Sequence, residues 1–151
     1  MESSLALDIA DTAQALRRAF DRRASALGTT RAQWRVLARL SRHDGQRQIE
    51  LAEALDVEPI TLCRMIDRLS EAGLVERVAD EADRRARRVY LTAKAMPIVE
   101  SLRTVAADFF AEAFSGVTAE EQELVTGALR RIRANLSEVG RTAPQAEGTH
   151  G

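Results

Sequence analysis

EPITLCRMIDRLSEAG (residues 58–73) runs into LVERV (74–78), the loop ADEADRRAR (79–87) and RVYLT (88–92), and the reading of this stretch decides the fold. At helical period Leu62, Met65, Ile66 and Leu69 form one apolar stripe, while Thr61, Arg64 and Arg68 fall on the opposite side. One side packs and the other is free to touch a partner. Gly73 suits the left-handed position at which helices end, and LVERV and RVYL mix apolar with charged residues as two half-buried strands do. The loop between them is then a hairpin tip carrying Arg84, Arg85, Arg87 and Arg88. Such a pair of elements suits duplex DNA, because a helix fits the major groove and arginines on a loop tip can enter the narrower minor groove.

The 151 residues are enough to bury a core and are most economically one domain. Charged residues at 30% and hydrophobic residues at 45% are ordinary for a soluble globular protein. One cysteine allows no internal disulfide, and no run is apolar and long enough for a signal peptide or membrane span. The expected compartment is the cytoplasm, with no membrane partner. A formal net charge of −1 counts slightly against DNA binding, but position matters more than the sum, and the arginines concentrate at one turn.

Working outward, residues 5–27 place Leu5, Ile9, Leu16, Phe20 and Leu27 on one face of a long amphipathic helix that has little to bury against in the first forty residues. Gly28 closes it. Thr30-Arg31-Ala32-Gln33 reads as a capping box opening a second helix, with Trp34, Leu37, Ala38 and Leu40 inward and an end near His43-Asp44-Gly45. Gln46-Arg47 is a short link or one pair of a strand. A third helix follows over about 49–55, packing through Leu51, Ala52 and Leu55; Gln48 stands where a Ser or Thr would cap better, which predicts fraying. Pro59 fits the first turn of the next helix, where its missing N–H is not needed. Helix, turn, helix and hairpin in this order form a helix-turn-helix with a wing.

Thr92 is expected to cap the fifth helix, and Pro97, about a turn inside it, to bend it locally. Its stripe continues through Ile98, Leu102, Val105, Phe109 and Ala113 to a break at Gly116. Thr118-Ala119-Glu120-Glu121 is a second capping box, opening a sixth helix whose Leu124, Ala128, Leu129, Ile132, Leu136 and Val139 share a face. The tail, 141–151, has nothing to bury and is expected to be disordered. Leaving the long terminal stripes wet is unfavourable at about 25 cal/mol per Å², so they are expected to associate between two copies as a symmetric dimer.

This order of elements resembles the MarR family of winged-helix transcription regulators. Asp83-Arg84-Arg85 followed by Leu91-Thr92 is similar to that family's D-x-R…LT signature, and LDVEPITLCRMIDRLSEAGLVER to its recognition-helix pattern. The likeness is specific over 51–92 and architectural over the rest of 9–139. It implies a mainly α fold with a small two-stranded β wing. In that fold 1–140 form one domain, with the winged helix-turn-helix at about 30–92 and dimerisation helices at 5–27 and 93–139. It implies that Arg85 enters the minor groove, that Asp83 holds the wing arginine or its surroundings, and that Pro59, Ile60, Thr61 and Arg64 meet base edges and phosphates. Arg68, a turn further on, is expected at phosphate, and Arg84 and Arg87 join the basic wing. Two positions depart from the family pattern: Glu58 stands at a helix cap often held by Ser, and Gln48 replaces a common Ser or Thr.

Other accounts of these residues remain open. Arg64 and Arg68 can pair with Asp67 or Glu71 on a solvated face, and Arg84, Arg87 and Arg88 can balance Asp80, Glu81 and Asp83. Cys63, beside packing positions, reads as a small half-buried thiol. His43 and His150 form no metal-ligand cluster, and no Gly-rich phosphate loop or nucleophile elbow is present. No cofactor, no metal and no enzymatic activity are expected. Trp34 is first a core anchor. By position in the resembling family, Arg17 (or its neighbour Arg18), Phe20 and Trp34 are also candidates for the pocket of a small aromatic or anionic effector. The function expected is a homodimeric, ligand-responsive DNA-binding regulator, a repressor released by its effector, on a near-palindromic operator. The competing reading is a winged-helix interaction module without sequence-specific DNA binding.

Overall fold

The 58–92 stretch folds as helix, hairpin and strand return in the computed structural model, which describes residues 4–142 and their side-chain surroundings as far as Glu138. In chain order the elements are α1 (Ser4–Ser25), α2 (Arg31–Arg42), β1 (Gln46–Arg47), α3 (Gln48–Leu55), α4 (Pro59–Glu71), β2 (Val75–Ala79), β3 (Arg87–Leu91), a 3₁₀ turn (Ala93–Ala95), α5 (Met96–Ala113) and α6 (Ala119–Thr142). The chain divides into two compact units, Met1–Ala113 and Phe114–Gly151, the second of which contains α6. Val139 and 143–151 lie outside what is described of side chains and chain respectively; Arg141 and Thr142 still belong to α6.

In the larger unit the core is where the apolar stripes converge. Leu62, Ile66 and Leu69 of α4 meet Val36, Leu37 and Leu40 of α2, Leu51 of α3 and Val89 of β3, all buried. Met65 and Trp34 are packed against this cluster but only partly covered. The second half of α1 joins the core through Phe20 and Ala24, whose neighbours include Phe109 of α5, with ring centroids of Phe20 and Phe109 5.6 Å apart. An ion pair from Arg23 to Glu112 ties the same two helices, and the Arg23 guanidinium also lies over the Phe109 ring. Thus α1 does find cover within its own chain, whereas Leu5 and Leu7 in its first turns remain exposed.

Both capping boxes form: Thr30 with Gln33, and Thr118 with Glu121. Gly73 takes a left-handed conformation after α4, and Asp56 does so after α3. Four details differ from the sequence expectation. The sheet has three strands, in the order β1-β3-β2, because Gln46 and Arg47 pair with Val89 and Arg88. Arg87 and Arg88 belong to β3, so the hairpin tip itself is shorter, at 80–86. Thr92 does not cap α5: its hydroxyl donates to the Gly73 carbonyl, and a 3₁₀ turn intervenes before α5. Because α5 therefore starts at Met96, Pro97 falls in its first turn, where no backbone bond is lost and no bend is required.

The end of α2 carries the sheet. Asp44 accepts the Leu91 N–H at 2.9 Å, and Gly45 donates to the Val89 carbonyl at 3.0 Å. Gly45 has φ +73°, and a Cβ there would lie 2.6 Å from the Tyr90 ring. Gly45→Ala should therefore lower the unfolding free energy by about 1–2 kcal/mol from the left-handed backbone alone, with more if the ring cannot move. A urea titration with an unchanged midpoint would contradict this.

Candidate nucleic-acid interface

α4 presents Pro59, Ile60, Thr61, Arg64 and Arg68 to solvent on the side away from Leu62, Ile66 and Leu69. Pro59 occupies the first turn and Glu58 precedes it without capping through its side chain. On the wing, Arg84, Arg85 and Arg87 are also exposed. Among the described residues no ion pair or side-chain hydrogen bond engages Arg64, Arg68, Arg84, Arg85 or Arg87. The suggested pairing of Arg64 or Arg68 with Asp67 is not found, because Asp67 is taken by Arg77. A notch between the start of α3, the start of α4 and the wing is lined by Arg47, Gln48, Ile49, Pro59, Arg85 and Arg87, so the two groups of candidate residues border a common surface.

Asp83 shapes the tip through backbone rather than guanidinium contacts. Its carboxylate accepts the Arg85 N–H at 3.1 Å and its carbonyl accepts the Ala86 N–H at 2.9 Å. The acid that holds arginine side chains is Asp80, at the base of the hairpin and only 3% exposed. Its Oδ2 accepts from Arg47 Nε at 2.7 Å and faces Arg88 Nε at 3.1 Å, and its Oδ1 accepts the Ala82 N–H at 2.8 Å. Arg88 also donates to the Gly45 carbonyl at 2.8 Å. Arg47 and Arg88 are cross-strand partners, an arrangement that is repulsive without an anion between them. The Ala82 N–H, then Arg47 and Arg88, hold the Asp80 carboxyl below its usual range against the opposing effect of burial.

Gln48 has a role its poor capping did not suggest: its side-chain oxygen accepts from Arg77 Nε at 3.0 Å. Arg47, not Gln48, is the residue before the first turn of α3, and that start has no side-chain cap. The positions missed by reading the sequence are thus Arg47 and Arg77; Asp80 was expected only as one of the acids balancing the wing arginines, and of those pairings the one with Arg88 forms. Strand parity offered a signal for Arg77, since it shares a side of β2 with buried Val75.

A second feature lies on the other side of α2. A cavity of about 600 Å³ is bounded by α1, α2 and α5 and lined by Phe20, Trp34, Phe109 and Phe110 with Arg17, Arg42 and Arg103. Phe20 and Trp34 meet edge to face at 4.7 Å, and Trp34 Nε1 donates to Asp21 at 2.7 Å. Trp34 is therefore both anchored and part of the cavity wall. Of the neighbouring Arg17 and Arg18, Arg17 lines the cavity; Arg42 and Arg103, brought in by α2 and α5, were not foreseen. Cys63 is half-buried, with its Sγ 3.7 Å from Arg77. Among the described residues no group of three or more His, Cys, Asp or Glu could hold a metal, and no helix is long and apolar enough to cross a membrane.

Residues 29–86 match the model of the MarR family. Over 89% of this chain and 98% of the other, the structure is similar to that of the transcriptional regulator PA3341, with 40% identity and a TM-score of 0.82. A MarR-family transcriptional regulator from Silicibacter pomeroyi is 29% identical with a TM-score of 0.78, covering 87% of this chain and 89% of that one. A mutant MarR from E. coli complexed with operator DNA is 29% identical with a TM-score of 0.72, covering 85% of this chain and 92% of that one.

The Asp80 cluster sets a pH-dependent contribution to stability. A depressed folded pKa means that the folded state binds fewer protons than the unfolded chain through the carboxylate range, so the contribution is complete above that range and fades as pH falls toward the depressed value. The stability gap between the wild type and Asp80→Asn should be widest at neutral pH and narrow in acid. A gap that stays constant through the carboxylate range, in denaturant titrations at several pH values, would contradict the assignment.

Proposed function

We propose, for a chain that belongs to the MarR family of transcriptional regulators, that it acts as a homodimer which sets α4 in a major groove and the 80–86 wing tip in the adjacent minor groove of its operator. The observation that carries this reading is the division among the arginines: Arg47, Arg77 and Arg88 are paired within the protein, while Arg64, Arg68, Arg84, Arg85 and Arg87 engage no acid among the described residues. Thr61 and Arg64 would reach base edges beside Pro59 and Ile60, a bidentate arginine on guanine being worth about 1–3 kcal/mol of discrimination. Arg68 would reach phosphate, and Arg85, with its backbone N–H held by Asp83, the minor groove, flanked by Arg84 and Arg87.

Exposed Leu5 and Leu7 of α1 and, separately, Leu124, Val125 and Leu136 of α6 support association with a second copy. In this reading 1–140 work as one functional domain, with about 30–92 touching DNA and the terminal helices, 5–27 and 93–139, dimerising. Two-fold symmetry then requires a near-palindromic operator with half-sites roughly 34–36 Å apart. The cavity beside α2 would receive a small aromatic or anionic effector, with Arg17 facing its charge and Phe20 and Trp34 its ring. Its occupancy would favour dimers whose two α4 helices are wrongly spaced, and so release a repressed promoter. The workplace of such a regulator is the cytoplasm.

Fluorescence anisotropy with duplexes from the region upstream of the protein's own gene tests the DNA reading directly. Arg85→Ala should weaken binding to all duplexes and lower the salt slope by about 1, whereas Arg64→Ala should flatten base preference. Salt-insensitive or absent binding by the wild type would favour a winged-helix interaction module instead. Trp34 is the sole tryptophan, so its fluorescence reports the cavity: an aromatic carboxylate should quench it and weaken operator binding together. If a panel of such acids changes neither signal, the effector assignment fails.

A further inference from the structure

We propose that Arg77 is the positioning residue that fixes α3, α4 and the wing relative to one another and keeps Asp67 away from Arg64; this rests on the DNA-binding reading above. The Arg77 side chain leaves β2 on the buried side and its planar head reaches three acceptors on two helices. Nε donates to Gln48 Oε1 of α3 at 3.0 Å, Nη2 to the Cys63 carbonyl of α4 at 3.0 Å, and Nη1 pairs with Asp67 Oδ1 of α4 at 2.6 Å. A guanidinium offers several donors in one rigid plane, and here each edge of that plane is used by a different acceptor.

The consequence for reading DNA is electrostatic as well as mechanical. Asp67 follows Arg64 by three positions, the spacing at which a carboxylate and a guanidinium pair on a helix. Left to itself, half-exposed Asp67 would either capture Arg64 or stand as an uncompensated negative charge beside it. With Arg77 in place Asp67 is engaged from the strand side, and Arg64 has no ion-pair partner among the described residues. The same group pins the α4 turn that carries Arg64 to β2, so the distance between recognition helix and wing tip is set by hydrogen-bond lengths rather than by loop conformation.

The test uses the full-length protein with Arg77→Lys and Arg77→Met, a duplex selected by the wild type from a random pool, and a scrambled duplex of equal composition. Lysine keeps a charge opposite Asp67 but cannot span the three acceptors; methionine keeps only the stem. Arg77→Met should lower the ratio of selected to scrambled affinity by about tenfold or more, and Arg77→Lys should recover only part of it. The active fraction from stoichiometric titration and the salt slope should stay as in the wild type. In the free protein, amides of α4 around Cys63–Asp67 should exchange with solvent faster in both variants. A salt slope lower by about 1 would mean that Arg77 itself touches phosphate, and full recovery by lysine would mean that charge alone suffices; either overturns the proposal. If the wild type selects no duplex, the DNA reading has failed, and the exchange rates still decide the clamp: unchanged rates in both variants overturn it.

Discussion

Crowding guanidinium groups into one hairpin and the helix starts beneath it is unfavourable for a free protein, since each repels the others before any DNA is present. The sharpest conflict is between Arg47 and Arg88, which stand directly opposite each other across β1 and β3. One buried carboxylate, Asp80, is shared between them and is itself held by the Ala82 N–H. With that pair neutralised and the Arg88 head also bonded to the Gly45 carbonyl, the base of the wing is rigid while its outer arginines remain available. The rest of the interface inherits this division into an inner, paired set and an outer, unpaired one.

Mechanical continuity follows the same residues. Ser41 and Arg42 line the cavity beside Trp34, and just beyond His43, Asp44 and Gly45 bind the backbone of β3. The cavity wall and the foot of the wing are thus consecutive parts of one segment at the end of α2. A displacement of that end cannot be confined to the cavity, because packed interiors and short hydrogen-bonded links transmit shifts rather than absorb them. This gives occupancy of the cavity a physical route to the wing, through a single helix end rather than through the whole core.

The architecture was legible in the sequence wherever local rules act alone. Thr30-Gln33 and Thr118-Glu121 announce helix starts, Gly73 a helix end, and the Leu62, Ile66, Leu69 stripe the buried side of α4. What stayed hidden depended on partners distant in sequence. Arg77 in LVERV looks like a solvent-side charge until its parity with Val75 is noticed, and its acceptors lie in α3 and α4. Asp80 and Asp83 are indistinguishable by type, yet only Asp80 sits where Arg47 arrives from β1. Thr92 illustrates the converse: a good capping residue whose hydroxyl was claimed by the Gly73 carbonyl instead. Arg42 and Arg103 join the cavity only because α2 and α5 pack as they do.

Chemical footprinting of a bound duplex tests most directly whether a helix and a guanidinium-tipped hairpin enter neighbouring grooves. The account predicts two patches of guanine N7 protection in the major groove, about one helical turn apart, each flanked by protection of adenine N3 in the minor groove. Protection confined to the sugar-phosphate backbone, or a single patch without its symmetry mate, would contradict it.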